Sequence, residues 1–507
     1  MESNKYVKVF KAGAVTTAAF LLNYMIQLVL TPFITKTVGA EAYGYVTLAK
    51  NFAQYAAIIT AALNSFASRY IAIAYHKHDR LEANRFFSSA FFGDTALATT
   101  LFLIAVLVIV FLEKLLQIPA ALVADVKLLF LYVFINFWVI TVFTVFESAA
   151  YIKSKLSITG MFKGLSYLTE AAVLYVLYLL MPARVSYVGI GLIAASVVIA
   201  LGNWFICKRY TPELTVQRKD FSLQAVKRLV IDGIWTSVNS LGDILNSGLD
   251  LVVCNLMLTP LHMSHVAVAK TVHTMLSGLF VIINPVFQPM FLKSYAEKKT
   301  ETMMEEFRSA MKLSGMLANI AFGGFLALGL SFFRLWIPNL DTQLIYELTL
   351  INCLTLVAGG SMQPLFYIYT LTAKRKIPSL ITIAGGLLNV AGMYILIRYT
   401  TLGVYAVVWT TAVVMLAINL ITNPLYMAHV LGMPWYTFYP EVMRNLLSCG
   451  VVTAVFHGMS RLYQPDTWLA LIACACIYAM LGALLHALVV FGKREWRKLG
   501  SIIRRRG

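Results

Sequence analysis

The pentapeptide VTLAK at residues 46–50 recurs as VAVAK at residues 266–270, and each copy ends in a lysine, Lys50 or Lys270. Both lysines lie inside long apolar segments, where a charged side chain is expensive to bury. The chain of 507 residues is 60% hydrophobic and 13% charged, with a mean hydropathy of +0.76. A water-soluble protein cannot cover that much apolar side chain with a polar surface. Because apolar runs of bilayer-spanning length recur from end to end, we predict an all-α polytopic membrane protein with about 14 transmembrane helices.

The repeat extends beyond the two pentapeptides. The offset that separates Lys50 from Lys270 also aligns Asn64 with Asn284, Phe87 with Phe307 and Asn23 with Asp243. Six predicted spans separate the copies, an even number, so both halves insert in the same direction. We therefore predict two six-helix bundles related by a pseudo-twofold axis, plus two extra C-terminal helices outside the repeat. Two such bundles enclosing a central cavity suit transport by alternating access.

The predicted organisation has five segments. They are an N-terminal six-helix bundle at 1–207, a cytoplasmic basic linker at 208–228, a C-terminal six-helix bundle at 229–428, an extra helix pair at 429–492 and a basic cytoplasmic tail at 493–507. The first apolar run is too long for a signal peptide, so it is predicted to be an uncleaved first helix. The tail intersperses apolar with basic residues, which predicts a short helix on an anionic leaflet.

Lysine and arginine concentrate in alternate connections and at both ends of the chain. Under the positive-inside rule this places both termini in the cytoplasm. The net charge of +18 is thereby explained by cytoplasmic loops, without a nucleic-acid partner. No external connection is long enough for a folded domain, and the six cysteines show no metal-ligand spacing.

The two intramembrane lysines have two interpretations. They could extend their ammonium groups to the outer headgroups, or they could face a cavity and hold a phosphate or pyrophosphate as point charges. Recurrence at equivalent positions favours the cavity. Arg69, near the cytoplasmic end of the second span, either extends towards the inner headgroups or contacts a ligand.

Polar residues inside the spans are the remaining site candidates. In the seventh span, spacings of 4, 3 and 4 predict one helical face formed by Asn239, Asp243, Asn246 and Asp250. A matching uncharged stripe in the first span contains Asn23, Gln27 and Thr31. The asparagines and the glutamine are candidate substrate ligands.

Three carboxylates inside the spans, Asp243, Asp250 and Glu170, are candidates for coupling transport to a proton or sodium ion. For each of them, a hydrogen-bonded contact between helices is the alternative. Pro285 and Pro289 are predicted to break the eighth helix. The sequence contains no Gly-rich phosphate loop and no Ser/His/Asp arrangement, so we predict no catalytic residues, no metal and no cofactor beyond a coupling ion.

Three stretches resemble the polysaccharide transporter family, the Wzx-type O-antigen and capsule flippases of the multidrug/oligosaccharidyl-lipid/polysaccharide exporter superfamily. They are VGAEAYGYVTLAKNFAQY (38–55), SGLDLVVCNLML (247–258) and GGSMQPLFYIYTLTAKRKIPSLIT (359–382). The resemblance covers almost the whole chain. It implies a transporter that moves a polyprenyl-pyrophosphate-linked oligosaccharide from the inner to the outer leaflet of a bacterial inner membrane.

The resemblance also implies a role in lipopolysaccharide, capsule or exopolysaccharide synthesis. The partners it implies are the lipid-linked glycan, membrane lipids, and polysaccharide polymerases and glycosyltransferases of the same pathway. The cationic cavity of such flippases agrees with Lys50 and Lys270. Alternatives are a cation-coupled multidrug exporter, a lipid II flippase, and a membrane-embedded polymerase or ligase, which would have a large external loop.

Overall fold

The computed structural model describes residues 2–372, 374–492 and 496, with side chains from Val15 onward except those of Thr16, Val281 and Ile282. Apart from Trp496, the predicted tail helix at 493–507 lies outside the described residues. In the first half the helices are α1 (Glu2–Thr37), α2 (Ala40–His76), α3 (Arg80–Val110), α4 (Leu112–Leu115), α5 (Val123–Phe143), α6 (Ser148–Ile152), α7 (Leu156–Leu180) and α8 (Tyr187–Tyr210).

The second half continues with α9 (Leu223–Asp243), α10 (Asp250–Met257), α11 (Pro260–Ala296), α12 (Thr300–Trp336), α13 (Thr342–Met362), α14 (Tyr367–Leu371), α15 (Lys376–Tyr399), α16 (Val404–Ala417) and α17 (Asn423–Val430). Two helices follow, α18 (Tyr439–Leu462) and α19 (Trp468–Val490). Short 3₁₀ segments lie at Ala120–Leu122, Thr144–Glu147, Arg218–Asp220 and Gln363–Phe366, and π-helical turns at Ile244–Gly248 and Ile418–Thr422.

The helix boundaries follow the sequence repeat. Shifting α2 by the offset between Lys50 and Lys270 reproduces both ends of α11, and the same shift places the start of α7 on the start of α15. The 3₁₀ segment Thr144–Glu147, which interrupts the fourth span, has its counterpart at Gln363–Phe366. The two copies therefore share this interruption as well as their long helices. The π-helical turns lie in the second copy, and the equivalent helices of the first, α1 and α8, are uninterrupted.

Thirteen helices in the described residues are long and apolar enough to cross a membrane. The remaining predicted span, the seventh, is present as α9, the π-helical turns Ile244–Gly248 and α10. Its charged and polar residues make it less apolar than the others. The all-helical membrane fold predicted from hydropathy is thus confirmed.

The predicted break in the eighth helix is wrong. The helix α11 runs without interruption from Pro260 to Ala296 and contains Pro285 and Pro289 within it. A proline removes one N–H donor, but in membrane helices local adjustments and neighbouring groups satisfy the carbonyls that it frees.

Local signals explain where several helices begin. Gly39, between α1 and α2, has φ 117°, a conformation that residues with a Cβ rarely adopt. The Asp79 carboxylate accepts a hydrogen bond of 2.9 Å from the Glu82 N–H and so caps the start of α3. Asp341 caps α13 in the same way, accepting from the Leu344 N–H at 3.0 Å.

Packing divides the chain into two compact units. The first comprises the described residues of Met1–Ile244 and Leu251–Ala267, and the second those of Leu245–Asp250 and Val268–Gly507. These units describe packing, whereas the five predicted segments describe the repeat; the segment boundaries stay a prediction. In the first unit the linker lies along α3, where the Asn84 carboxamide accepts from the Thr215 N–H at 2.9 Å.

Each unit has its own aromatic core. Phe87 is fully buried and meets Phe146 edge to face, with ring centroids 5.4 Å apart. Its repeat equivalent, Phe307, is also fully buried and stacks on Phe291 at 4.1 Å. Large aromatic side chains contribute strongly to such cores because they bury a large apolar area.

The extra helices α18 and α19 pack on α12 within the second unit. His486 of α19 is fully buried, with Nδ1 2.8 Å from the Ser448 hydroxyl and Nε2 3.0 Å from the Lys312 carbonyl oxygen. Asn319 of α12 donates to the Asn445 carbonyl at 3.0 Å. These bonds satisfy polar groups that would be costly to leave unpaired between membrane helices.

Candidate transport site

Lys50 lies on α2 and is partly exposed, between the buried Ala49 and the partly exposed Asn51. Its ammonium group is close enough to the Glu170 carboxyl, on α7, for a Coulombic attraction. Within the described part of the chain the ammonium forms no hydrogen bond. Lys50 therefore keeps its donors available to a ligand.

Glu170 is 4% exposed, and its Oε1 atom has no hydrogen-bond partner among the described residues. A Cβ atom on Gly191 of α8 would lie 3.3 Å from Glu170 Cγ, so the glycine makes room for this side chain. A buried carboxylate needs a counter-charge or a proton. Lys50 provides a counter-charge at longer range than a contact ion pair.

Lys270 has a different environment from its repeat equivalent. Its Nζ atom lies 2.7 Å from Asp250 Oδ2 and also donates to the Ser247 carbonyl oxygen. The Asp250 side chain is 0% exposed and that of Lys270 19% exposed. Lys270 thus forms a contact ion pair with a buried carboxylate of its own unit.

The two carboxylates come from helices that are not equivalent in the repeat. Glu170 stands on α7, and the equivalent position in the second copy, on α15, is Val390. Asp250 opens α10, and the equivalent position in the first copy, on α1, is Leu30. The repeat therefore preserves the lysine but places its acidic neighbour on a different helix in each half.

The polar stripe predicted on one face of the seventh helix is wrong in its geometry. The π-helical turns Ile244–Gly248 interrupt the α-helical register between Asp243 and Asn246, because a π-turn contains more residues than an α-turn. Asn239 donates to Asp243 at 2.9 Å within the first unit, and Asp243 is exposed. Asn246 and Asp250 are buried in the second unit.

Asn246 is occupied by helix-packing bonds. Its Nδ2 atom donates to the Thr382 carbonyl at 2.6 Å, and its own backbone carbonyl oxygen accepts from Asn389 Nδ2 at 2.7 Å. Asn389 also exchanges hydrogen bonds of 3.3 Å with the Thr411 hydroxyl. Asn389 and Thr411 were not singled out from the sequence, since each lies in an apolar run without a charged neighbour.

The other predicted substrate ligands are more accessible. Asn23 and Gln27 are half-buried on α1, and the Gln27 carbonyl accepts from the Thr31 hydroxyl at 2.8 Å. Arg69 is exposed on α2, with its guanidinium 5.8 Å from the centre of the Phe66 ring. The structure thus places Lys50, Asn23, Gln27 and Arg69 in one unit without joining them by direct hydrogen bonds in the described residues.

Sequence reasoning missed two buried acids in the described residues: Glu441, which pairs with Arg444 at 3.3 Å, and Asp94. Asp94, on α3, is 0% exposed and accepts a hydrogen bond of 2.9 Å from Asn64 on α2. It is the lone carboxylate in the apolar run FFGDTALATTLF at 91–102, which is the same signal that identified Glu170.

Comparisons with known proteins agree with this architecture. The chain is 27% identical over 478 residues to an uncharacterized membrane protein, EpsK, of Bacillus subtilis (strain 168), covering 94% of each chain. An inward-facing multidrug resistance MATE family transporter of the MOP superfamily has a similar fold, with a TM-score of 0.68, 14% identity, and 83% of this chain and 99% of that chain covered.

The lipid II flippase MurJ, in its inward closed conformation, also has a TM-score of 0.68, with 15% identity and coverage of 94% of this chain and 99% of that chain. The protein is thus a multi-pass membrane protein with the fold of MOP superfamily transporters. A family profile described as "Polysaccharide biosynthesis protein" matches residues 9–295, more than half of the chain. The chain belongs to the polysaccharide biosynthesis protein family.

Proposed function

We propose that this protein is a flippase for a polyprenyl-pyrophosphate-linked oligosaccharide repeat unit of an O-antigen, capsule or exopolysaccharide. It would carry the head group from the inner to the outer leaflet of the bacterial cytoplasmic membrane, by alternating access, with both termini in the cytoplasm. Family membership supports the link to polysaccharide synthesis. The likeness to transporter folds, one of them a lipid II flippase, supports transport of a lipid-linked head group.

The observation that carries the proposal is the state of Lys50. Moving an ionised pyrophosphate through hydrocarbon costs on the order of tens of kcal/mol without compensation. A lysine inside a span, partly exposed and without a hydrogen-bond acceptor among the described residues, offers a positive charge on that path. We assign Lys50 the direct contact with the pyrophosphate.

Lys270 is given a conditional role. Because it is paired with Asp250 at 2.7 Å, a pyrophosphate could engage it only by competing with that carboxylate. The charge of Asp250 is therefore balanced by a lysine of the same chain, and not by a proton or sodium ion that could bind and leave. This pairing favours Glu170 and the exposed Asp243 as the carboxylates that couple transport to a proton or sodium gradient.

The uncharged candidates divide by accessibility. Asn23, Gln27 and Asn239 are partly exposed and could bind sugar hydroxyls, whereas Asn246 is committed to helix packing. Arg69, exposed at the cytoplasmic end of α2, would attract the anionic head group before it enters. Polymerases and glycosyltransferases of the same pathway would consume and supply the lipid-linked unit.

A deletion strain tests the function directly. We expect lipid-linked repeat units to accumulate on the cytoplasmic leaflet and surface glycan to disappear, with both effects reversed by the wild-type gene. Accessibility of the glycan to an added glycosidase, before and after membrane permeabilisation, reports the leaflet. Normal surface glycan and no trapped intermediate in the deletion strain would contradict the proposal.

Site-directed variants test the role of Lys50. We expect Lys50→Ala to reduce surface glycan at least tenfold without lowering the amount of protein in the membrane, and Lys50→Arg to retain part of the activity. Lys36→Ala, which removes an exposed lysine at the end of the neighbouring α1, is the matched control and should export normally. Equal glycan in Lys50→Ala and Lys36→Ala would remove Lys50 from the site.

The exposed Asp243 and buried Glu170 also suit a cation-coupled multidrug exporter, whose substrates are positively charged. Loss of resistance to cationic dyes on deletion, with surface glycan unchanged, would favour that second function. Loss of viability, with lipid II trapped inside, would instead indicate a lipid II flippase.

A further inference from the structure

Two buried oxygen atoms in the first unit lack hydrogen-bond partners although their side chains are bonded to each other. Asn64 Nδ2 on α2 donates to Asp94 Oδ1 on α3 at 2.9 Å. The remaining oxygens, Asn64 Oδ1 and Asp94 Oδ2, are both buried and unpaired within the described residues. Buried polar atoms in folded proteins are almost always hydrogen-bonded. The two unpaired oxygens therefore indicate a missing proton or cation at this site.

No described cation compensates Asp94. The neighbouring ionisable groups have other partners: Arg228 of α9 stacks on Tyr70 at 4.7 Å, Asp232 of α9 accepts from the Tyr70 hydroxyl, and Glu147 pairs with Lys163 at 3.4 Å. None of the remaining charged groups on α3 or on the elements packed against it forms a described bond with Asp94. These groups are Arg80, Glu82 and Arg85 on α3, Glu41, Lys50, Arg69 and His76 on α2, Asp125 and Lys127 on α5, Arg218, Lys219 and Asp220 in the linker, and Lys227 and Asp243 on α9.

The second copy of the repeat contains the same contact with one difference. The equivalents of Asn64 and Asp94 are Asn284 and Ser314. The fully buried Ser314 hydroxyl lies 3.5 Å from Asn284 Oδ1 and donates to the Gly360 carbonyl at 2.7 Å. In the second copy the side chain beside Asn284 is the Ser314 hydroxyl, which always carries a hydrogen. In the first half the equivalent residue carries one only when its carboxyl group is protonated.

We propose that Asn64 and Asp94 form a proton-binding site. One proton on Asp94 Oδ2, donated to Asn64 Oδ1, closes a two-bond carboxylic acid–amide pair and satisfies both orphaned oxygens at once. Without that proton an anionic oxygen faces an amide oxygen in a buried site, which is unfavourable for electrostatic reasons. Proton binding therefore closes the contact between α2 and α3, and proton release opens it.

If the proposed transport function holds, this site supplies a coupling proton in the first half, in addition to any bound by Glu170. Ser314 cannot release its proton, so the second half lacks an equivalent. The two halves would then respond differently to the same pH gradient, because only the α2–α3 contact depends on protonation.

Infrared spectroscopy of the membrane-reconstituted protein tests the site without any transport substrate. At neutral pH we expect a C=O stretching band from protonated carboxyl groups, and Asp94→Asn should remove one component of it. If Glu170 is also protonated, Glu170→Gln should remove a different component. Ser314→Ala is the matched control from the other half and should leave the band intact. An unchanged band in Asp94→Asn would overturn the proposal.

Asp94→Ser covers the case in which Asp94→Asn does not fold, since it gives the first half the residue that the second half already has. We expect this variant to fold, to lose the same band component, and to export glycan with an altered dependence on external pH. Retention of that band component in Asp94→Ser would show that Asp94 does not bind the proton. If Asp94→Ser loses the band component but its glycan export depends on pH as in the wild type, the role of the site in coupling is refuted. Failure of the deletion-strain test would refute the transport function alone.

Discussion

Replacing Lys270 by alanine should destabilise the protein much more than the same change at Lys50, whose attraction to Glu170 acts over a longer distance than a contact ion pair. Lys270→Ala removes the cation 2.7 Å from Asp250, whose side chain is 0% exposed. Breaking a buried ion pair by deleting one partner typically costs about 3–5 kcal/mol. Protonation of the abandoned carboxyl limits this cost, because neutralising a reference aspartate at pH 7 takes about 4 kcal/mol.

A loss of about 4 kcal/mol is a large fraction of the roughly 5–15 kcal/mol by which native proteins are usually stable. We therefore expect Lys270→Ala to lower both the amount of protein in the membrane and its melting temperature in detergent. Quantitative immunoblotting and fluorescence-detected size-exclusion chromatography after heating measure the two effects. Lys50→Ala is the matched control, since Lys50 forms no contact ion pair in the described structure.

The double variant Asp250→Asn/Lys270→Ala separates the ion pair from other roles of the lysine. Removing both charges together leaves no uncompensated carboxylate, so most of the lost stability should return, and the double-mutant cycle should show strong coupling. The reasoning fails if Lys270→Ala accumulates and melts like the wild type. It also fails if the double variant is no more stable than the single one.

Two glycines give further predictions from close helix contacts. An alanine Cβ at Gly233 would lie 1.8 Å from the Ala62 carbonyl oxygen, so Gly233→Ala should separate α2 from α9 and cost about 3 kcal/mol, measured as a lower melting temperature. At Gly315 the Cβ would lie 2.0 Å from Asn445 Oδ1, so Gly315→Ala should cost about 1–3 kcal/mol and expose the extra helices to limited proteolysis. Gly324→Ala, on the same helix but with open space around its Cβ, should instead stabilise by about 0.5–1 kcal/mol; destabilisation there would show that contact distance is the wrong criterion.

The helices and their repetition were predictable because each signal is local. Apolar length alone indicates a span, and the fixed offset between Lys50 and Lys270 indicates the duplication. The helix boundaries of α2 and α11 agree with that offset to the residue. Asp94 could also have been found, since a lone carboxylate in an apolar run is visible without a structure.

The charge partners could not be predicted, because they depend on packing between helices. Spacing suggested that Asp250 belongs with Asp243, but the π-helical turns between them assign each to a different unit. Nothing in the local sequence indicates that Asp250 pairs with Lys270, or that Lys50 is close to Glu170. The helix α11 likewise continues through Pro285 and Pro289. Whether a membrane helix tolerates a proline depends on the groups packed around it, and the sequence of the helix alone does not show them.

The different helices that carry Glu170 and Asp250 have a consequence for tracing this family through evolution. Each copy holds the acidic neighbour of its lysine at a position that no column of a self-alignment would match. In distant relatives, loss of the acid at one position should therefore be accompanied by gain of an acid on the helix across from it. A search for covarying positions between the first and fifth spans of each copy would detect that exchange where a search for conserved residues would not.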